Sequence, residues 1–350
     1  MDPSALTREE MIAVIEGRGA ARRVPVLLHC WTSAEAFGAR EAQARALLGR
    51  YPNDAQMIPF NLPDVYKAPP DAPEYRWVNY DDPNPGRKSG LDEQGAIDDW
   101  SRLDGILANF PDPAYSGALP ADPPPPDGRY RIGHWWYCLF ERHWQLRGMT
   151  RALTDYYTAP EAVHRLFRAL TDFYLGLIER GRSELGLDAI FTSDDLGTQT
   201  SLFFSKEIFD EFYKPYYREI FNRVHELGMH FWLHACGCIK PILPDLVELG
   251  LDVIHPIQKY TMAERAIAEQ FGRDICIWAG FDVQRIIPYG TAEDVRREVR
   301  FLMDTYWRPE GRFMITAGNG ITGDCPLASL TALFEESFRY GQEKGRGRLV

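Results

Sequence analysis

The sequence predicts an α/β fold, a TIM (β/α)8 barrel, and three observations carry that expectation. The second half of the chain alternates short apolar, β-rich runs with helical apolar periods five times in succession. The first half offers three further strand candidates, which completes the eight strands a barrel requires. Reactive polar residues recur at the C-terminal ends of these strands, where barrel enzymes build their sites.

The strands of the first half are Val24–Cys30, Gln56–Asn61 and Tyr130–Tyr137, each followed by a helical or loop segment. Between the second and third lies an insertion, residues 70–128, read as a lid or rim. Its Asp-Asp-Pro-Asn-Pro-Gly stretch (81–86) and its proline run (123–126) carry turn and polyproline chemistry that suits a surface better than a core. In the second half, 189–195 is a strand, Lys206–Gly228 a helix closed by its glycine, 230–236 the next strand and Ile239–Gly250 a short helix. Strand 252–257, helix Met262–Gly272, strand 275–281, helix Ala292–Trp307, strand 313–318 and a closing helix from Leu327 to about Tyr340 complete the alternation.

With 350 residues, 45% hydrophobic, 13% aromatic and 25% charged, the composition is that of a folded protein and excludes disordered and collagen-like chains. A prior of about 150 residues per domain would give two domains, but barrels commonly reach this length as one unit, so a single domain over 1–350 is expected. The 39 Lys and Arg against 50 Asp and Glu leave a net charge of -11, which repels phosphate backbones and anionic lipid; neither nucleic acid nor a membrane is an expected partner. No apolar run approaches the ~20 residues of a membrane helix, and the stretch Met1 to Glu10 is polar without an apolar signal core. The expectation is a cytoplasmic enzyme with a small-molecule substrate, and a homodimer is a candidate assembly. The 6 cysteines are read as reduced thiols, too few in so long a chain for a disulfide framework.

The predicted strands end in His29-Cys30-Trp31, Asp194-Asp195, His234-Ala-Cys236-Gly-Cys238, His255-Pro-Ile-Gln258, Asp282 and Asn319. His234 and Cys236 are the sharpest pair, because residues i and i+2 at a strand end point to one side and bring an imidazole and a thiolate onto one metal, Zn2+ by default. Cys325, Cys238, His255 and the Asp194/Asp195 pair are candidates for the third ligand. The competing reading makes Cys236 a small buried hydrophobe and His234 a hydrogen-bonded barrel histidine. Asp194 and Asp195 point to opposite faces, so one enters the mouth to bind a metal, steer a proton or hold a cation, while the other caps a loop. His134, Trp136 and Tyr137, together with Trp31 and Trp278, would wall a flat aromatic substrate, although barrel filling explains them nearly as well. His29, Gln258 and Asn319 complete the substrate-binding candidates, and Asp195, Asp194 and Asp282 are the catalytic ones. Arg142 and Arg147, five apart on a helix, lie on different faces; one is a candidate to bind an anion, and a surface role is the expected fate of either.

The segments Asp194-Asp195-Leu-Gly-Thr-Gln, His234-Ala-Cys-Gly, Gly250-Leu-Asp-Val-Ile-His-Pro-Ile-Gln258, Ala279-Gly-Phe-Asp-Val-Gln284 and Ala317-Gly-Asn-Gly-Ile321 resemble the uroporphyrinogen decarboxylase superfamily, from about Arg131 onward. The resemblance implies a TIM barrel and one of two branches: tetrapyrrole decarboxylases, or cobalamin-linked methyltransferases that act on corrinoid proteins, coenzyme M or folate. The decarboxylases carry an Arg-Gln-Ala-Gly-Arg stretch after the first strand, whose arginines bind substrate carboxylates. Here the first strand runs Val24-Pro-Val-Leu-Leu-His29-Cys30-Trp31-Thr-Ser, and those arginines are missing. Methyltransferases of the superfamily carry a His-x-Cys zinc pair where this chain has His234 and Cys236, with a later Cys in a Gly-rich turn as third ligand. Asn319 stands at that place, and Cys325, six residues on, is the substitute the resemblance leaves. What it implies is a zinc-assisted methyltransferase that moves a methyl group between a methyl donor or corrinoid (cobalamin) and a thiol or pterin (tetrahydrofolate) acceptor, with a corrinoid protein as candidate partner. His234, Cys236 and Cys325 would hold the metal, and Asp194, Asp195 or Asp282 would supply a proton to a pterin. The alternatives are a uroporphyrinogen-type decarboxylase using Asp282 or Asp195, and a catalytically idle binding barrel.

Overall fold

The computed structural model describes residues 4–19, 21–79 and 95–346; the expected turn at 81–86 lies outside them. Among the described residues, seven parallel strands stand in sequence order in one curled sheet: β1 (Ala55–Pro59), β2 (Tyr130–Trp135), β3 (Ala189–Ser193), β4 (His230–His234), β5 (Val253–His255), β6 (Cys276–Phe281) and β7 (Phe313–Ala317). Strands β3, β5, β6 and β7 are buried along their whole length, as parallel strands covered on both faces are. The helices expected in the second half follow their strands, among them Glu264–Phe271, Ala292–Tyr306 and Leu327–Arg346. This is a TIM-like α/β architecture, and it gathers all the strand C-termini at one end.

The first expected strand, Val24–Cys30, does not form. Only Val26 bridges to Ile315 of β7, with Leu27 N–H donating to Ile315 O at 3.1 Å and Ile315 N–H to Pro25 O at 3.0 Å. Pro25 has no N–H to extend a ladder, and the chain turns at once into a single tight helical turn, Leu28–Trp31. On the other side, toward β1, a side chain replaces the missing ladder. Asp54 accepts Val26 N–H at 2.7 Å and grips Arg23 through both carboxylate oxygens at 2.6 Å, with both residues buried.

Residues 60–129 join β1 to β2, and their described part packs on the outside of the sheet. Trp77 meets Phe173 of the helix Pro160–Leu185 at 5.0 Å between ring centres, and Arg180 of the same helix donates to the carbonyls of Pro113 and Tyr115. The carbonyls of Pro124 and Pro125 accept from Arg131 and Gln56, near the starts of β2 and β1. The proline run therefore lies at the end of the sheet away from the strand C-termini and does not form a rim there.

Two further expectations are corrected. The single helix over Lys206–Gly228 is interrupted by a wider π turn, Phe209–Tyr213, before the helix Lys214–Glu226; Pro215 withholds its N–H at the junction. Arg142 and Arg147 are buried, not surface groups. Arg147 pairs with Asp155 through two nitrogens at 2.7 and 2.9 Å and lies over the Trp100 ring, while Arg142 lies over Trp77. Among the described residues no helix is long and apolar enough to cross a membrane.

Candidate active site

After β3 the side chains of Asp194 and Asp195 diverge, as strand alternation dictates. Asp194 is buried and accepts the N–H groups of Leu139, Phe140 and Glu141 at 3.0, 3.1 and 2.8 Å, and the Tyr217 hydroxyl at 2.5 Å. It thereby caps the first turn of the helix Phe140–Arg147, which has no capping side chain of its own. Burial pushes its pKa up to about 6, against the downward pull of those donors. Asp195 takes the other direction, into the mouth, and accepts Cys236 N–H at 2.7 Å.

Glycines bring the two loops together. A Cβ at Gly237, whose φ is +88°, would stand 2.2 Å from Gly197 O, so the chain after β4 lies directly on the chain after β3, and Cys238 N–H donates to Thr198 O at 2.8 Å. As a result His234 Nε2 lies 3.4 Å from Asp195 Oδ1 and 3.3 Å from Cys236 Sγ, and one ligand atom from each of the three residues falls within 4.8 Å of the others. Asp195 is thus the residue that brings a third potential donor atom to the pair. Cys325 is not in this group; its sulfur contacts the Thr322 hydroxyl at 3.9 Å. Asn319 faces the group from β7, with Nδ2 4.0 Å from Cys236 Sγ. His255 stands behind it, bonded through Nδ1 to His234 Nδ1 at 2.7 Å and through Nε2 to Ala317 O at 2.9 Å.

Burial lowers the pKa of His234, against the upward pull of Asp195, and lowers that of His255 well below the ordinary imidazole value, so burial disfavours a charge on either ring. Burial raises the Cys236 thiol, with the charges of Asp195 and Glu141 adding to the effect. A thiolate here therefore needs a cation beside it. Oxygen, nitrogen and sulfur donors from three positions form a set of the kind that would hold Zn2+.

The walls are mixed. Trp31 stacks on His255 at 4.6 Å and 14°, and lies 5.7 Å from the ring of Trp136, a residue that is 44% exposed. Trp278 is fully buried against His255 and fills the barrel. His134 lies beside Trp136 at 6.4 Å, and burial brings its pKa down to about 4. Tyr137 has φ of 70°, rare for a residue with a Cβ, and its N–H is held by Ser193 Oγ at 2.9 Å. A pocket of about 50 Å³ lies beside Cys236, lined also by Gln258, Asp282, Gln284 and Asn319. Gln258 accepts Gly237 N–H at 2.5 Å, and Asp282 accepts the Tyr260 hydroxyl at 2.6 Å and two N–H groups of its own turn. His29 turns away, bonded to Leu48 O at 3.2 Å and edge-on to Phe334.

Sequence reasoning missed Glu141. It is buried, accepts from Ser193 Oγ, and its pKa is raised well above the usual carboxylate value by burial and then by Asp195 and Asp194. The available signal was a carboxylate four residues past the expected strand Tyr130–Tyr137, in the first turn of a helix; nothing local marked it as inward-facing.

A curled parallel sheet with an Asp-His-Cys group at its C-terminal end has the layout of an α/β-barrel enzyme. A family model for uroporphyrinogen decarboxylase (URO-D) matches residues 145–340, and the chain belongs to that family. Among solved structures, a methyltransferase from Methanosarcina mazei is similar over 96% of this chain and 99% of its own, at 13% identity and a TM-score of 0.61. A dihydropteroate synthase from Anaplasma phagocytophilum, with bound 6-hydroxymethylpterin-monophosphate, is similar over 46% of this chain and 65% of its own, at 20% identity and a TM-score of 0.31. The first of these likenesses bears on the fold alone, and the second carries no argument. None of the curated proteins compared with the chain matches it.

Proposed function

We propose that the protein is a zinc-assisted methyltransferase of the URO-D superfamily, moving a methyl group between a methyl donor or corrinoid and a thiol or pterin acceptor. The observation that carries this reading is the convergence of Asp195, His234 and Cys236 at the strand C-termini. These three residues would hold the ion, which supplies Lewis acidity and lowers the pKa of an acceptor thiol. The residues around them do the rest. Trp31 and Trp136 offer aromatic faces to a flat donor or acceptor. Asp282 lines the pocket beside Cys236, which supports assigning to it the handling of a proton at a pterin nitrogen.

Zinc content tests the reading. Purified wild-type protein is expected to carry about one zinc per chain, and Cys236→Ser and Asp195→Asn far less. Equal, near-zero zinc in all three would remove the metal. The reaction is tested by supplying methylcobalamin with thiol or tetrahydrofolate acceptors and, separately, uroporphyrinogen: demethylation of the cobalamin is expected, while decarboxylation without it would overturn the assignment.

A further inference from the structure

We propose that His255 is a positioning residue that fixes His234 in the Nδ1–H tautomer and so turns the bare Nε2 of His234 toward Asp195 and Cys236. The inference deepens the metal reading above and rests on it for its purpose, though not for its geometry.

The argument is a proton count along three strand ends. Ala317 O, at the end of β7, can only accept, so His255 Nε2, 2.9 Å away, carries a proton. A neutral ring protonated there has an unprotonated Nδ1, which can only accept in turn. His234 Nδ1 lies 2.7 Å from it and must be the donor. The remaining nitrogen of His234, Nε2, then has a free lone pair, and it is the atom that stands 3.3 Å from Cys236 Sγ and 3.4 Å from Asp195 Oδ1. A reversed His255 ring would put carbon atoms where Nδ1 and Nε2 now stand and lose both bonds, in a fully buried ring packed against Trp31 and Trp278, each at 4.6 Å. A free neutral imidazole prefers its proton on Nε2, so without this partner the nitrogen facing the site would tend to be blocked.

Two variants separate the bond from the packing. His255→Asn keeps an acceptor at the distance of Nδ1; His255→Leu has the same bulk and none. In metal-free protein labelled with 15N-histidine, the His234 signals, assigned by their loss in His234→Gln, are expected to show a protonated Nδ1 and bare Nε2 in the wild type and in His255→Asn, and to shift toward Nε2–H in His255→Leu. Co2+ titration followed by its sulfur charge-transfer band is expected to give a 10–100-fold loss of affinity in His255→Leu and a loss of about a few-fold in His255→Asn. A wild-type His234 protonated on Nε2, an unchanged tautomer in His255→Leu, or equal losses of Co2+ affinity in the two variants would each overturn the proposal. Wild-type protein that binds no Co2+ while showing the expected tautomers would instead sink the metal reading and leave the positioning intact.

Discussion

At the scale of single residues, Asp194 and Asp195 show how two adjacent carboxylates take different work from strand alternation alone. Asp194 spends its oxygens on three N–H groups and the Tyr217 hydroxyl, and so serves the helix start that carries Glu141. Tyr217→Phe removes a hydrogen bond to a buried charge and is expected to cost about 1.5–3 kcal/mol at pH 7.5. The sign of its pH dependence follows from linkage. The Tyr217 bond lowers the Asp194 pKa, so its loss raises that pKa further above about 6, and the variant's fold holds the proton more tightly than the wild type's. The penalty should therefore be largest above pH 6 and shrink as the pH falls through it. Guanidinium denaturation at pH 5 and 7.5 checks this; an equal penalty at both would mean that Tyr217 acts by packing alone. The pairing of His234 with Cys236 was legible in the sequence because the two-residue period of a strand is local information. The choice of Asp195 over Cys325 was not, since it depends on how closely two loops approach.

That approach belongs to the scale of elements, and glycine decides it. Gly237→Ala is expected to destabilise the fold by more than Gly228→Ala, although both positions have positive φ. At Gly228 nothing lies within 4 Å of the added Cβ, so the change carries only the backbone term of about 1–2 kcal/mol and leaves the site intact. At Gly237 the Cβ would meet Gly197 O at 2.2 Å, so the loops must separate and take Cys236 away from Asp195. Melting curves and zinc content of the two variants decide the matter: equal zinc in both would show that the loop contact does not set the site. Element boundaries were readable where apolar runs alternate with amphipathic helices, as from β3 to β7. They were misread where one backbone group intervenes, as when Pro25 stops a ladder and Pro215 follows a π turn. Composition does not announce either event, because a proline is tolerated at an edge or in a first turn and disruptive elsewhere.

For the whole molecule, the consequence of the failed first strand is that the ring of strands is closed on one side by a side-chain cluster. Asp54 accepts from Val26 N–H and Leu6 N–H as well as from Arg23, whose guanidinium lies 4.6 Å from the Phe338 ring, so one buried carboxylate ties the N-terminal segment, the start of β1 and, through Arg23, the last helix. Sequence periodicity sees backbone ladders and apolar faces; it has no term for a charge pair that stands in for a ladder, which is why the barrel was legible and its closure was not. Arg23→Met keeps much of the bulk over Phe338 but strands Asp54 without its cation, and breaking a buried pair in this way is expected to cost about 3–5 kcal/mol. Arg23→Met combined with Asp54→Asn should recover part of that, because the uncompensated charge is gone, though not all, because an amide can accept with only one of its two heavy atoms where the carboxylate accepts with both. If the chain is one domain, as proposed here, the loss should appear as a shift of a single unfolding transition followed by fluorescence and by far-UV circular dichroism. Two separated transitions, or a cost under about 1 kcal/mol for Arg23→Met, would show that the seam at Asp54 does not hold the barrel closed.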